Sequence, residues 1–535
     1  MSFKMEGAAE KVEKKKNIII AFLEGIIKLV FNKAFYVIAA LLAEIVWFCL
    51  FTLVLTSYSP VLAIVIQVLS VFFALGVANK KMNPSYKLVW CIIILAIPVF
   101  GVTLYLLLGS SRIQAKLRDR FEELRQQGEP YLEEQSSFRE VLEAEDVSAS
   151  AQSRYITVGS GYPVYGNTDA QYFQVGDEMF PVLVQELEKA EKYIFIEYFI
   201  INDGVMWQTI LDILEKKAAA GVDVRLIYDS FGCMSTLPIG YAKKMREKGI
   251  KCEVFNRFRP ILNVVSNNRD HRKICVIDGK TGFTGGINLS DEYINKKTRF
   301  GYWKDTAVML KGEAVWNMTV MFLRMWSVVS KDNNKIRYSD YMVNWNLEGA
   351  VSAKGFVQPF EDSPLDKETV SENIYLNIIN KAKKYVYICT PYLIIDNEMI
   401  TALTLAAKSG LDVRIMTPGI PDKKLVFLLT QSYYEELLAA GVKIYAYQPG
   451  FLHAKSFVCD DEIAVVGTIN LDYRSLYLHF EDGVWMYDCP VINDIKGDFM
   501  ESLSLCSEIT LDFCRGRPWP VRAMQGLMRL CAPVL

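Results

Sequence analysis

Only three histidines occur in the 535 residues, and two of them head the same eight-residue frame. The first frame reads His271-Arg272-Lys273-Ile274-Cys275-Val276-Ile277-Asp278 and the second His453-Ala454-Lys455-Ser456-Phe457-Val458-Cys459-Asp460. Each is followed by a G-G or G-T turn and an asparagine at the same offset, so His271 and His453 stand 182 positions apart, as do Asn288 and Asn470. The run after each histidine reads as a strand, where residues i and i+2 share a face, so His and Lys of one frame address one ligand together. A neutral imidazole is a nucleophile and a protonated one an acid. An ammonium holds the charge on a phosphoryl oxygen. Two such strands brought together supply two imidazoles, two ammoniums and two amides, a set suited to phosphodiester exchange. One histidine attacks phosphorus, the other protonates the leaving alkoxide, and the roles reverse in the second step. A lone H-x-K is usually a surface strand; the repetition of the whole frame with its downstream asparagine argues against that reading. The third histidine, His479, lies near Glu481 and reads either as a group at the acceptor side of such a site or as a satisfied surface residue.

The elements that must carry these residues repeat as well. EKYIFIEYFII at 191–201 resembles KKYVYICTPYLII at 383–395, and AGVDVRLIYD at 220–229 resembles SGLDVRIMTP at 409–418. Apolar, β-rich runs such as 193–199 and 222–228 alternate with helical stretches such as 206–220 and 238–249, which is βαβ grammar with strands buried on both faces. The expected fold class is α/β. Two pseudo-symmetric halves with mixed sheets flanked by helices are expected at 151–330 and 331–535, with 330–375 linking them. Residues 109–150, charged and acidic, read as a helical linker.

Ahead of these halves, residues 35–56, 60–78 and 88–108 are apolar runs carrying one charge between them, Glu44. A hydrocarbon core of about 30 Å is crossed by about 20 apolar helical residues, so transmembrane helices are expected over 35–108 and a multi-pass protein of the cell membrane follows. Pro98 and Gly101 interrupt the last run, and the basic residues flanking it make a re-entrant or interfacial segment an alternative to a third crossing. Residues 1–34 read as a cytoplasmic or interfacial segment, with 17–31 as an amphipathic surface helix. With 59 basic and 61 acidic residues the chain lacks the excess positive charge of a nucleic-acid binder. Eleven cysteines without C-x-x-C spacing read as thiols in a reducing compartment. With the basic cluster after 108, they place the catalytic part on the cytoplasmic face.

The paired frames, with GGINLSDEYINK at 285–296, GYWKDT at 301–306, TPYL at 390–393 and LHFED at 478–482, resemble the phospholipase D superfamily and, within it, bacterial cardiolipin synthases. The resemblance covers 109–535, and the apolar N-terminus extends it. It implies a phosphatidyltransferase that moves a phosphatidyl group from one phosphatidylglycerol to another with release of glycerol. The alternative is a related transferase or hydrolase with a different acceptor. His271 would be the nucleophile and His453 the acid and then base, roles that near symmetry leaves open. Lys273, Lys455, Asn288 and Asn470 would hold the phosphoryl oxygens. Asp305 and Glu481 match the positions that orient the histidines. Asp278 and Asp460 complete the two catalytic motifs and would anchor strand ends and loops. Neither a metal nor an organic cofactor is implied; the implied partners are phosphatidylglycerol and membrane lipid, with no nucleic acid. The chain departs from the pattern at Thr468, at His479 where Asn is frequent, and at 358–364. The amphipathic tail 519–535 suits the headgroup level of a bilayer.

Overall fold

The structure, a computed structural model, describes residues 60–106, 112–133, 136–257, 267–330, 336–349, 351–366 and 368–534, with 46–47, 50 and 54. Its first half contains β1 (Thr168–Phe173), β2 (Tyr193–Tyr198), β3 (Asp223–Asp229), β4 (Lys251–Phe255), β5 (Arg269–Asp270), β6 (Lys273–Ile277), β7 (Thr281–Gly285) and β8 (Ala307–Gly312). The second contains β9 (Phe356–Asp362), β10 (Tyr385–Cys389), β11 (Leu393–Ile394), β12 (Asp412–Pro418), β13 (Lys443–Tyr447), β14 (Ser456–Cys459), β15 (Ile463–Gly467), β16 (Leu471–Asp472), β17 (His479–Tyr487) and β18 (Cys506–Ile509).

The sequence repeat becomes a repeat of topology. The first sheet runs β1-β8-β7-β6-β2-β3-β4, and the second runs β18-β13-β12-β10-β14-β15-β17 with β9 and β5 also on β17. Matching β2, β3, β4, β6, β7, β8 to β10, β12, β13, β14, β15, β17 makes the two orders identical. Among the matched strands of each, three run parallel and the rest pair antiparallel, while β5 joins β17 in parallel. The parallel strands are joined by helices such as Val205–Ala219 and Asn397–Lys408, as βαβ crossovers require. The fold is therefore α/β with mixed sheets in two matching halves.

One apolar cluster is common to both halves. The helix Val315–Val329 follows β8 and the helix Val491–Leu503 follows β17. Phe195 of β2 stacks on Phe322 at 4.5 Å, and Tyr387 of β10 stacks on Phe499 at 4.9 Å. The segment expected as a linker is packed rather than free: Phe121 of the helix Arg112–Gly128 lies 5.3 Å from the ring of Phe480.

The N-terminal part departs from three plain crossings. The expected crossing at 35–56, but for four isolated positions, and the surface helix at 17–31 fall outside the described residues. The run 60–78 forms the helix Pro60–Ala78, with Val61, Ile64 and Phe72 each more than 60% exposed. The run 88–108 is not one span. It breaks into Pro84–Ala96 and Pro98–Leu104 at Ile97, whose φ of −136° and ψ of 79° are imposed by the proline that follows. The shorter helix folds back closely enough that a Cβ on Gly101 would stand 2.4 Å from the carbonyl of Ile93. Among the described residues, no helix is long and apolar enough to cross a membrane. The hairpin is fastened to the second half: Asn83 Nδ2 donates to Asp396 Oδ2 and to the Tyr477 hydroxyl, both at 2.9 Å.

The last residue of each motif stands at a strand end, where the sequence reading expected an anchor. Asp278 turns the chain out of β6 with φ of 53°, and its carboxylate accepts the backbone N–H groups of Glu191, Lys192 and Tyr193, all at 2.8 Å. Asp460, φ 55°, accepts those of Lys383, Lys384 and Tyr385 at 2.5, 2.8 and 2.8 Å. Five residues of strand, roughly 16 Å, separate each aspartate from its lysine. The triple acceptor fixes where β2 and β10 begin and hence their register with β6 and β14. Removing it strands three backbone donors, one of them fully buried, so D278A and D460A are expected to lose roughly 3 kcal/mol each, read as a fall in thermal midpoint in detergent. A midpoint unchanged in both would refute the anchor.

Candidate active site

His271 stands between β5 and β6, and His453 leads into β14. The other half holds each one twice. In the backbone, His271 N–H donates to Phe480 O at 2.9 Å and His453 N–H donates to Lys304 O at 2.7 Å. In the side chains, His271 Nδ1 lies 2.9 Å from Glu481 Oε2, and His453 Nδ1 lies 2.5 Å from Asp305 Oδ2. Both carboxylates are fully buried. Glu481 Oε2 also accepts the Thr468 hydroxyl at 2.5 Å, and Asp305 Oδ1 accepts the N–H of Thr306 at 2.9 Å. An ionised carboxylate only accepts, so Nδ1 of each ring carries the hydrogen and Nε2 keeps its lone pair.

The lysines close the group. Lys273 Nζ donates to the carbonyl of His271 at 2.5 Å, and Lys455 Nζ donates to that of His453. Both side chains are 1% exposed. Burial, with Lys273 pushing the same way, brings Lys455 down to about 7, and burial brings Lys273 down to about 8. Burial and then Lys455 take His453 down to about 4; burial and the two lysines hold His271 well below the usual imidazole range. A dry pocket lined with potential cations disfavours every positive charge in it until an anion enters.

The asparagines are held from behind. Asn288 Oδ1 accepts the N–H of Ile200 at 3.0 Å and its Nδ2 donates to the Tyr293 hydroxyl at 2.8 Å, while Asn470 Nδ2 donates to Ser475 Oγ at 3.1 Å. Asn470 Oδ1 is buried without a hydrogen-bond partner. Both amide atoms of Asn288 are thus engaged within the protein, tying Ile200 to the loop that carries Tyr293. Of the stretch 358–364, Gln358 ties the helix Val147–Ser160 to β9 through Ser153 and Tyr162 O.

Several neighbours escaped the sequence reading. Tyr293, Trp303 and Phe451 surround the His453 ring at 5.6 to 5.7 Å between centroids, and Phe199 flanks His271 at 5.0 Å, opposite the His479 that the sequence had already singled out, at 5.4 Å. Trp303 precedes Asp305 by two residues and Phe451 precedes His453 by two, the strand spacing that shares a face, which was the signal available. Among the described residues, His271, His479 and Glu481 bring one potential ligand atom each within 4.8 Å of one another. Glu481 there already holds His271 and Thr468.

The sequence pattern of the family described as "Cardiolipin synthase, PLD-like domain" matches residues 183–326 and 375–503, and that of "Phospholipase_D-nuclease N-terminal" matches 68–110. A cardiolipin synthase of Geobacillus sp. (strain WCH70) is 34% identical over 480 residues, 89% of this chain and 94% of that protein. An uncharacterized protein of Streptococcus mutans serotype c is 45% identical over 461 residues, 86% of this chain and 99% of that one. The crystal structure of phosphatidylserine synthase from Haemophilus influenzae Rd KW20 superimposes with a TM-score of 0.55 at 15% identity, covering 71% of this chain and 99% of that one, a likeness of fold alone.

Because each carboxylate holds the histidine of the other half, E481Q and D305N should leave the fold intact and lower turnover by about 100-fold or more. Rapid-quench kinetics should show one variant slowed in the first chemical step and the other in the second. Near-normal turnover in both would show that the contacts only pack the core.

Proposed function

The chain belongs to the cardiolipin synthase family with phospholipase D-like domains and is a phosphatidyltransferase, and on that premise we propose that it joins two phosphatidylglycerols through a histidine-bound intermediate. The observation that carries this reading is the crossed pair of histidine–carboxylate contacts, which aims two neutral imidazoles into one buried, lysine-lined space.

In the first step His271 Nε2 attacks the donor phosphorus. A P–N bond forms as the P–O bond to glycerol breaks, and the protonated His453 gives its proton to the departing oxygen. In the second step the now neutral His453 takes the proton of an acceptor hydroxyl. That oxygen attacks phosphorus, forming a new P–O bond and breaking the P–N bond. Lys273 and Lys455 face the oxygens on which charge accumulates. The roles of the two histidines follow the family assignment, since the geometry is close to symmetrical. Membrane association suits a two-chained lipid substrate, and the exposed apolar helix Pro60–Ala78 is consistent with it.

Labelled phosphatidylglycerol given to the purified protein should yield cardiolipin and glycerol in equal amounts, unaffected by EDTA because lysines provide the positive charge. H271A and H453A should each abolish both products while remaining folded. Phosphatidic acid as the sole lipid product would make the enzyme a hydrolase, and turnover in either histidine variant would remove the mechanism.

The pocket's charge state gives a second test. At pH 7.5 His453, brought to about 4, is neutral, and Lys455, at about 7, is mostly so. A phosphodiester monoanion raises both, so binding should take up protons, measurable with an indicator dye in weak buffer. Proton release, or none, would contradict this account.

A further inference from the structure

The two sides of the active site are chemically different at equivalent positions. The residue two before the motif histidine is Arg269 in the first half and Phe451 in the second. Two before the orienting carboxylate stands His479 beside His271, and Trp303 beside His453. Four after the motif asparagine stands Arg474 in the second half, where the first half has Glu292. At these positions the His453 side carries aromatic rings, whereas the His271 side carries arginine and histidine, next to the ring of Phe199.

The polar wall is built into the strands. β5 runs parallel to the start of β17 with Arg269 opposite His479, so both project from one face beside His271 and Glu481. Arg269 is 3% exposed; Asp229 lies 3.8 Å away and the Phe231 ring 4.8 Å away. The His479 side chain is 10% exposed, with Nδ1 at 3.5 Å from Glu481 Oε1, and neither ring nitrogen has a hydrogen-bond partner. Burial, with Arg474 and His271 acting in the same direction, brings its pKa to about 3, so the ring is neutral and offers one N–H. Arg474 belongs to the short helix Tyr473–Tyr477 that runs straight into β17 at His479, and its charge, after burial, lowers the pKa of Arg269. Two guanidiniums gathered with an unsatisfied buried imidazole, next to a carboxylate already engaged by His271 and Thr468, are the complement of an anion.

We propose that Arg269, Arg474 and His479 form a second anion subsite that holds the phosphodiester of the acceptor lipid while its glycerol hydroxyl reaches the reacting phosphorus. This assignment rests on the reading that the acceptor is a second phosphatidylglycerol. A free alcohol lacks the phosphate and gains nothing from the subsite, so the site distinguishes a lipid acceptor from water or glycerol.

The test uses the full-length protein in detergent with phosphatidylglycerol and labelled glycerol, measuring together cardiolipin formation and exchange of label into phosphatidylglycerol. Exchange needs only the donor site; cardiolipin needs both. R474Q, and separately His479→Phe, should lower the ratio of cardiolipin to exchange by about tenfold, through a raised KM for the acceptor, as expected for a lost charge-assisted hydrogen bond. Inorganic phosphate should lower the same ratio in wild type and much less in R474Q. An unchanged ratio in both variants, or equal sensitivity to phosphate in wild type and R474Q, would overturn the subsite while leaving the transferase reading in place. Wild-type protein showing neither exchange nor cardiolipin would overturn that reading and the subsite with it.

Discussion

Each histidine of this protein depends on a carboxylate it cannot reach within its own half. His271 leans on Glu481 and His453 on Asp305, 210 and 148 residues away in the chain. The same crossing recurs in the backbone, where His271 and His453 donate to Phe480 and Lys304. Neither half alone presents an oriented imidazole, so the active site is a property of the junction. The shared apolar core, which draws on β2, β6 and Val315–Val329 from one half and on β10, β14 and Val491–Leu503 from the other, holds that junction to the tolerance the contacts need.

Beneath the site a second buried interaction fixes how the halves meet. Arg272, with no exposed surface, pairs with Glu197 at 2.5 Å, Asp270 at 3.2 Å and Glu361 at 2.8 Å, and Glu361 also pairs with Arg324. Glu361 belongs to β9 of the second half, the others to the first half and its following helix. A buried charge without its partner is costly, so this cluster permits few alternative dockings. Arg272 is the variable residue of its motif, and its counterpart in the second motif is Ala454. The motif pattern treats that position as arbitrary, yet here it carries the inter-half ion cluster.

Much of this was legible in the sequence because it is periodic. The repeat of βαβ runs at 191–229 and 383–418 translates directly into two sheets of one strand order, since local apolar pattern and crossover geometry are short-range. What stayed hidden is long-range. No spacing reveals that Thr468 donates to Glu481, or that Arg272 meets Glu361. The nearness of Asp305 and Glu481 to the histidines came from likeness to a family, not from periodicity. In the run 88–108 hydropathy counts apolar residues and ignores backbone, and the two residues the sequence marked as interruptions, Pro98 and Gly101, are where a span-length stretch folds back on itself. The pairing of Asp278 with His271 in one motif likewise says nothing of distance, because a strand carries its two ends apart.

Joining the halves in one chain has a consequence for what such a site can become. Two identical halves meeting about an exact twofold axis would have to line both ends of the pocket alike, and any substitution would appear twice. Within a single polypeptide, Arg269 and Phe451, His479 and Trp303, Arg474 and Glu292 were free to drift apart while the crossed carboxylates stayed matched. Covalent linkage thereby turns a palindromic cavity into one with a direction, able to tell its first guest from its second.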